Sequence, residues 1–155
     1  MTRRRGTPSL GREEGINLAF RMLSRRGRSE AEIAGALRLR GASISVVRRV
    51  LGRLRALGYV DDRKLAAECA ERCKARGFGT LRIQDQLRKL EIEERVAESF
   101  GLDVREEREL ARRLLDRTFD AADLAVPRGR ARAARFLAGR GFTAEVIDSL
   151  FDVWE

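Results

Sequence analysis

Histidine does not occur anywhere in the 155 residues. Its absence removes the commonest general base and the commonest metal ligand. Cysteine occurs twice, as Cys69 and Cys73, one helical turn apart. A zinc site needs about four ligands, and no third Cys or His exists to extend this pair. Helical i, i+4 geometry does not suit a disulfide either, so the two thiols read as small packing residues. Aromatics make up only 6% of the chain, too thin for a base-stacking platform running along it. Proline appears twice, at Pro8 and Pro127, and no apolar run approaches the length of a membrane span. Residues Met1 to Arg5 are basic without an apolar stretch, so no signal peptide is expected. A reducing cytoplasm is the expected location. No segment alternates with the period-2 pattern of strands.

What the chain does have is a period of 50 residues. Ile33, Leu37, Val46 and Val50 recur as Ile83, Leu87, Val96 and Phe100, and again as Ala133, Leu137, Val146 and Leu150. Gly27 is matched by Gly77 and Gly41 by Gly141, although Glu91 occupies the intermediate place. A period of this size marks a copied supersecondary unit whose neighbours stack to bury a shared core. Within each copy the apolar spacing is helical. In the first, Ile16, Ala19, Phe20 and Leu23 share a face, and Gly27 ends that helix. Ser29 with Glu32 makes a capping box for the next, which Gly41 stops. Ser43 or Ser45 caps a third helix with the stripe Val47, Val50, Leu54. In the second copy, Asp61 or Asp62 caps a helix carrying Leu65, Ala66, Cys69 and Cys73, and Gly77-Phe78-Gly79 forms a turn. Glu93-Glu94 complements a helix start. In the third, a helix runs from about Arg105 to Phe119, a loop from Asp120 to Pro127, and Thr143 caps the last helix. The expected fold is all-α: an elongated array of three tandem three-helix repeats, nine helices in all. A basic arm over 1–15 precedes repeats at 16–60, 61–101 and 102–155.

Charge is distributed unevenly. The net charge is +9. Residues 16–60 hold ten Arg against two Glu, whereas 61–101 balance at nine basic and nine acidic residues. The first repeat therefore carries nearly all the excess, which points to a polyanion or an acidic surface as partner. Arg48, Arg49, Arg53 and Arg55 lie away from the apolar stripe of the third helix. Arg128, Arg132 and Arg135 recur at i, i+4 and i+7 in the third repeat. Guanidinium forks suit phosphate and carboxylate. These seven residues are the candidate docking site. No catalytic, cofactor or metal site is expected.

Four segments carry a family resemblance. They are Ala19 to Ile33, Val50 to Asp62 with its Gly-Tyr-Val-Asp-Asp ending, Arg76-Gly-Phe-Gly-Thr-Leu-Arg-Ile83, and Arg135 to Ile147. In this order they resemble the RecX regulatory proteins, modulators of the RecA recombinase. Leu65, Cys73 and Glu91 depart from the pattern, which favours an aromatic, a basic residue and glycine there. The resemblance implies a non-enzymatic regulator that lies in the groove of the RecA–DNA filament. It would inhibit ATP hydrolysis, strand exchange and coprotease activity, and so regulate DNA repair. A monomer without cofactor or membrane is expected, with direct contact to single- or double-stranded DNA left open. Residues 29–60 also resemble a winged helix-turn-helix of a transcription regulator, in which Arg48, Arg49 and Arg53 would enter a major groove. That alternative requires two strands after Gly58.

Overall fold

A computed structural model describes residues 9–151. Among them are ten helices and no strand: α1 (Arg12–Leu23), α2 (Glu30–Leu39), α3 (Ile44–Ala56), α4 (Asp62–Ala75), α5 (Thr80–Lys89), α6 (Glu94–Ser99), α7 (Val104–Thr118), α8 (Ala121–Ala125), α9 (Pro127–Gly139) and α10 (Ala144–Phe151). The nine expected helices are present. The tenth, α8, occupies the segment expected to be a loop from Asp120 to Pro127. The expected arm lies outside the described residues as far as residue 8. From Arg12 on, the chain is already helical, because Glu14 reaches back to the Gly11 N–H at 3.1 Å. No wing follows Gly58: Val60 is buried and α4 starts at Asp62. The winged reading therefore fails.

The chain divides into two compact units. One runs to Leu65 and includes Leu90–Ile92; the other comprises Ala66–Lys89 and the described chain from Glu93.

In the first unit, Ala19, Ile33, Leu37, Val47, Val50, Leu54 and Val60 form the core. Gly15 lets α1 close on it, since a Cβ there would lie 3.1 Å from Val50 and 3.3 Å from Leu37. The caps follow the sequence closely. Ser29 Oγ accepts from the Glu32 N–H at 3.1 Å, and Glu32 accepts from the Ser29 N–H at 2.9 Å. Ser43, not Ser45, caps α3, accepting from the Val46 N–H at 3.3 Å. Asp61 caps α4, accepting from the Lys64 N–H at 3.1 Å. Asp62 instead turns to α2 and accepts from the Glu30 N–H at 3.0 Å. Burial pushes the Asp62 carboxyl up, and that hydrogen bond works against the push.

Glu32 shows the opposite balance. Burial alone would raise its pKa, but the bonds from Arg26 and the Ser29 N–H, with the charges of Arg26 and Arg28, hold it below its ordinary 4.5. A depressed carboxylate stabilises the fold above the unfolded pKa, and that contribution is lost as pH falls through the folded value. Glu32→Gln is expected to cost about 1–2 kcal/mol at neutral pH. The gap should close in acid-titrated urea unfolding as pH drops below 4.5. A gap independent of pH would show that the charge contributes nothing.

In the second unit Ala111, Leu114, Leu115, Ala133, Leu137, Phe142, Val146, Ile147 and Leu150 form a hydrophobic core cluster. Cys69 and Cys73 are buried as free thiols, and burial pushes the Cys73 thiol up. Gly77-Phe78-Gly79 makes the expected turn between α4 and α5. One expected cap goes elsewhere. The Thr143 hydroxyl donates to Glu107 at 2.8 Å rather than capping α10. Glu93 and Glu94 stand at the start of α6 as expected, without a side-chain cap from Glu93, and Glu94 also pairs with Arg88 at 2.6 Å.

The 50-residue period is also a backbone period. Gly41 and Gly141 both have φ of +83°, and Glu91 between them has φ of +57°. The fold thus requires the left-handed conformation at all three places, and the middle copy holds it without glycine. A side chain there costs about 1–2 kcal/mol, partly offset by the entropy that glycine loses on folding. Glu91→Gly is expected to gain roughly 0.5–1 kcal/mol and raise Tm by about 1–4 °C. A lowered Tm would mean the Glu91 side chain contributes more than its backbone costs.

Candidate functional site

In the first unit, α3 turns Val47, Val50 and Leu54 inward and leaves Arg48, Arg49, Arg53 and Arg55 exposed. The cause is periodicity: at 100° per residue these four arginines fall on the arc opposite the buried stripe. Only two acids occur between residues 16 and 60, and both are engaged. Glu32 pairs with Arg26 and Arg28, and Glu30 with Arg55 at 2.7 Å. Arg48, Arg49 and Arg53 therefore form no ion pair among the described residues, and their charge is directed to solvent. Arg53 also borders a groove of about 960 Å³ beside Arg12, Phe20 and Leu57. The exposed Arg55–Glu30 pair is worth less than about 1 kcal/mol, so a stronger anion can release Arg55.

In the second unit, α9 presents Arg128, Arg132 and Arg135 along one exposed stripe. Arg132 is not free. It pairs with Asp123 at 2.9 Å and lies over the Phe119 ring at 5.3 Å. The sequence shows no acid between Asp123 and Glu145, but α8 folds Asp123 back onto α9. Gly129 permits this, because a Cβ there would collide with the Asp123 carbonyl. Arg130, on the same helix, donates to the carbonyls of Leu124 and Ala125 at 3.3 and 3.1 Å. Of the α9 candidates, Arg128 and Arg135 form no ion pair among the described residues.

A third group of arginines, Arg76, Arg82 and Arg140, gathers on Phe78. Local sequence patterns do not reveal it, because Arg140 is 58 positions from Arg82. The one nearby signal is the Arg-Gly-Phe-Gly turn. Among the described residues no group of three or more His, Cys, Asp or Glu could hold a metal ion. No described helix is long and apolar enough to cross a membrane. Guanidinium donors of this kind suit phosphate and carboxylate groups.

Comparisons with known proteins agree with this description. Residues 16–54 match the family model "RecX, first three-helix domain", and residues 106–151 match "RecX, third three-helix domain". A regulatory protein RecX of Deinococcus radiodurans is 38% identical over 154 residues, covering 94% of this chain and 70% of that one. Its counterpart in Thermus thermophilus is 36% identical over 129 residues, covering 83% and 84%. The crystal structure of RecX from Lactobacillus salivarius superposes with a TM-score of 0.70 at 20% identity, over 92% of this chain and 96% of the other. That last likeness concerns the fold.

Proposed function

The chain belongs to the RecX family of regulatory proteins, which are not enzymes, and from that premise we propose that it docks in the groove of the RecA–DNA filament. There it inhibits RecA ATPase, strand exchange and coprotease activity, and so regulates recombinational DNA repair in the cytoplasm. The reading takes residues 16–60, 61–101 and 102–155 as three modules of a monomer. The observation that carries it is the α3 face. Arg48, Arg49 and Arg53 are exposed and unpaired in a repeat whose only two acids are already used. Such a face meets phosphates or acidic side chains through charge-assisted hydrogen bonds. Arg55, Arg128, Arg132 and Arg135 complete the proposed docking residues, with Arg55 and Arg132 exchanging their internal acids for the partner's.

The test is co-sedimentation with RecA assembled on single-stranded DNA, beside DNA alone and RecA alone. The chain should pellet with the filament and saturate below one molecule per RecA subunit, since one molecule would span several subunits. Absence from the filament pellet at low salt would overturn the reading.

A further inference from the structure

The second unit contains a positive site that the α3 and α9 faces do not include. Phe78 is half-buried in the turn between α4 and α5. Three guanidinium carbons lie near the centroid of its ring: Arg76 at 5.1 Å, Arg82 at 5.0 Å and Arg140 at 5.1 Å. No two of these charges are therefore farther apart than about one Debye length, ~10 Å in 0.1 M salt. None of the three forms an ion pair among the described residues. The ring attracts each cation through its face, but it supplies no negative charge to offset their mutual repulsion.

The first repeat shows what an internally satisfied version looks like. Moved back by the 50-residue period, Arg76 corresponds to Arg26, Phe78 to Arg28, and Arg82 to Glu32. There the carboxylate of Glu32 sits between Arg26 and Arg28 and pairs with both. In the second repeat the acid's place is taken by another arginine. The site gathers cations where its sister gathers a cation–anion set, and an anion from outside would complete it.

Two of the guanidiniums are also held in place by hydrogen bonds. Arg140 Nη1 donates to the Arg76 carbonyl at 2.8 Å, and Arg82 Nη2 to the Gly139 carbonyl at 3.4 Å. Arg140 additionally lies over Phe136 at 5.4 Å. Each guanidinium has five N–H donors, so most remain available for a ligand. Fixing the side chains in advance lowers the entropy cost of binding.

We propose that Arg76, Arg82 and Arg140, stacked around Phe78, form a binding site for the phosphates of single-stranded nucleic acid, which this chain contacts directly. Each nucleotide of a strand carries one phosphate charge, so consecutive ones can supply several charges to one cluster. Isolated carboxylates on a protein surface offer one charge each. Guanidinium planes also offer stacking surface to bases, which an unpaired strand exposes and a duplex does not.

The test needs no RecA and so stands apart from the docking reading. Binding of a labelled oligothymidylate is followed by fluorescence polarisation across a salt series. The parent protein should bind, with affinity falling linearly in log–log form. Arg82→Glu, which copies the first repeat's acid, should weaken binding on the order of tenfold. Arg76→Gln should lower the salt slope by about 0.7, the value for one phosphate no longer neutralised. Arg95→Glu, an equal charge change at an exposed residue of the same unit, should stay within about twofold of the parent. Circular dichroism melting checks the fold. The Arg76 side chain donates no hydrogen bond among the described residues, so its variant reports on binding even if Arg82→Glu unfolds. Two results would overturn the proposal. They are a parent that does not bind the oligonucleotide, or unchanged affinity and slope in folded Arg76→Gln. Either would leave the cluster to an acidic protein surface.

Discussion

Gly79→Ala is expected to destabilise the protein by about 3 kcal/mol or more, at the upper end of overpacking effects. The turn before α5 meets the turn before α10 backbone to backbone. The Gly79 N–H donates to the Arg140 carbonyl at 3.0 Å, and the Leu81 N–H to the Gly141 carbonyl at 2.9 Å. A Cβ on residue 79 would lie 2.6 Å from the Gly141 oxygen, 2.6 Å from Phe142 Cα and 2.7 Å from Phe142 N. All three are main-chain atoms, so no rotamer change relieves the clash, and the pair of hydrogen bonds must stretch. Gly141 is subject to the same constraint from the other side, since a Cβ there would lie 2.5 Å from the Arg82 backbone nitrogen, with its positive φ added. Urea unfolding should show a lower midpoint at unchanged m. A loss under about 0.5 kcal/mol, the range of ordinary surface changes, would mean that the two turns are not held together.

Glu107→Ala is expected to cost about 3–4 kcal/mol, while Glu107→Gln should cost roughly 1 kcal/mol. Glu107 is 1% exposed. Its Oε1 accepts from the Thr80 N–H at 2.9 Å and the Thr143 N–H at 3.2 Å, and its Oε2 accepts from the Thr143 hydroxyl at 2.8 Å. One carboxylate from α7 thus closes the starts of both α5 and α10, where helix N–H groups have no partner of their own. Alanine would leave those donors buried and unpaired. Glutamine keeps one oxygen for the two N–H groups, and the threonine hydroxyl can turn to accept from the amide. Equal losses for both variants would show that the charge, not the hydrogen bonding, is what the site requires.

The sequence and the structure agree where the signal is local. Ser29 with Glu32 is legible as a capping box because both partners lie within four residues. The left-handed stop at Gly41 and Gly141 is legible because only glycine adopts it freely. Glu91 hides the same stop, since a side chain can be forced into that conformation when the neighbouring helices fix it. What the sequence does not display is partnering over distance. Either Asp61 or Asp62 reads as the cap of α4; Asp61 takes that place, while Asp62 turns to Glu30 of α2, 32 positions away. No local pattern marks Glu107, because its partners are 27 and 36 positions away. The candidate site divides along the same line. Arg48, Arg49 and Arg53 follow from helical periodicity alone. The pairing of Arg55 with Glu30 and of Arg132 with Asp123 does not, and neither does the convergence of Arg76, Arg82 and Arg140 on one ring.

The α3 face decides whether the regulatory reading is right. The direct measurement is a titration of RecA ATP hydrolysis on single-stranded DNA with the parent chain and with Arg48→Glu, Arg49→Glu and Arg53→Glu combined. The three side chains are exposed and unpaired, so stability should move by no more than roughly 0.5 kcal/mol per change. The parent should inhibit turnover below one molecule per RecA subunit. The variant should require at least about tenfold more protein. Its inhibition should also depend less on salt, by roughly 0.7–0.9 in log–log slope for each phosphate that these arginines neutralise in the parent. A folded variant that inhibits as well as the parent at moderate salt would contradict the account and leave these arginines as solvated surface.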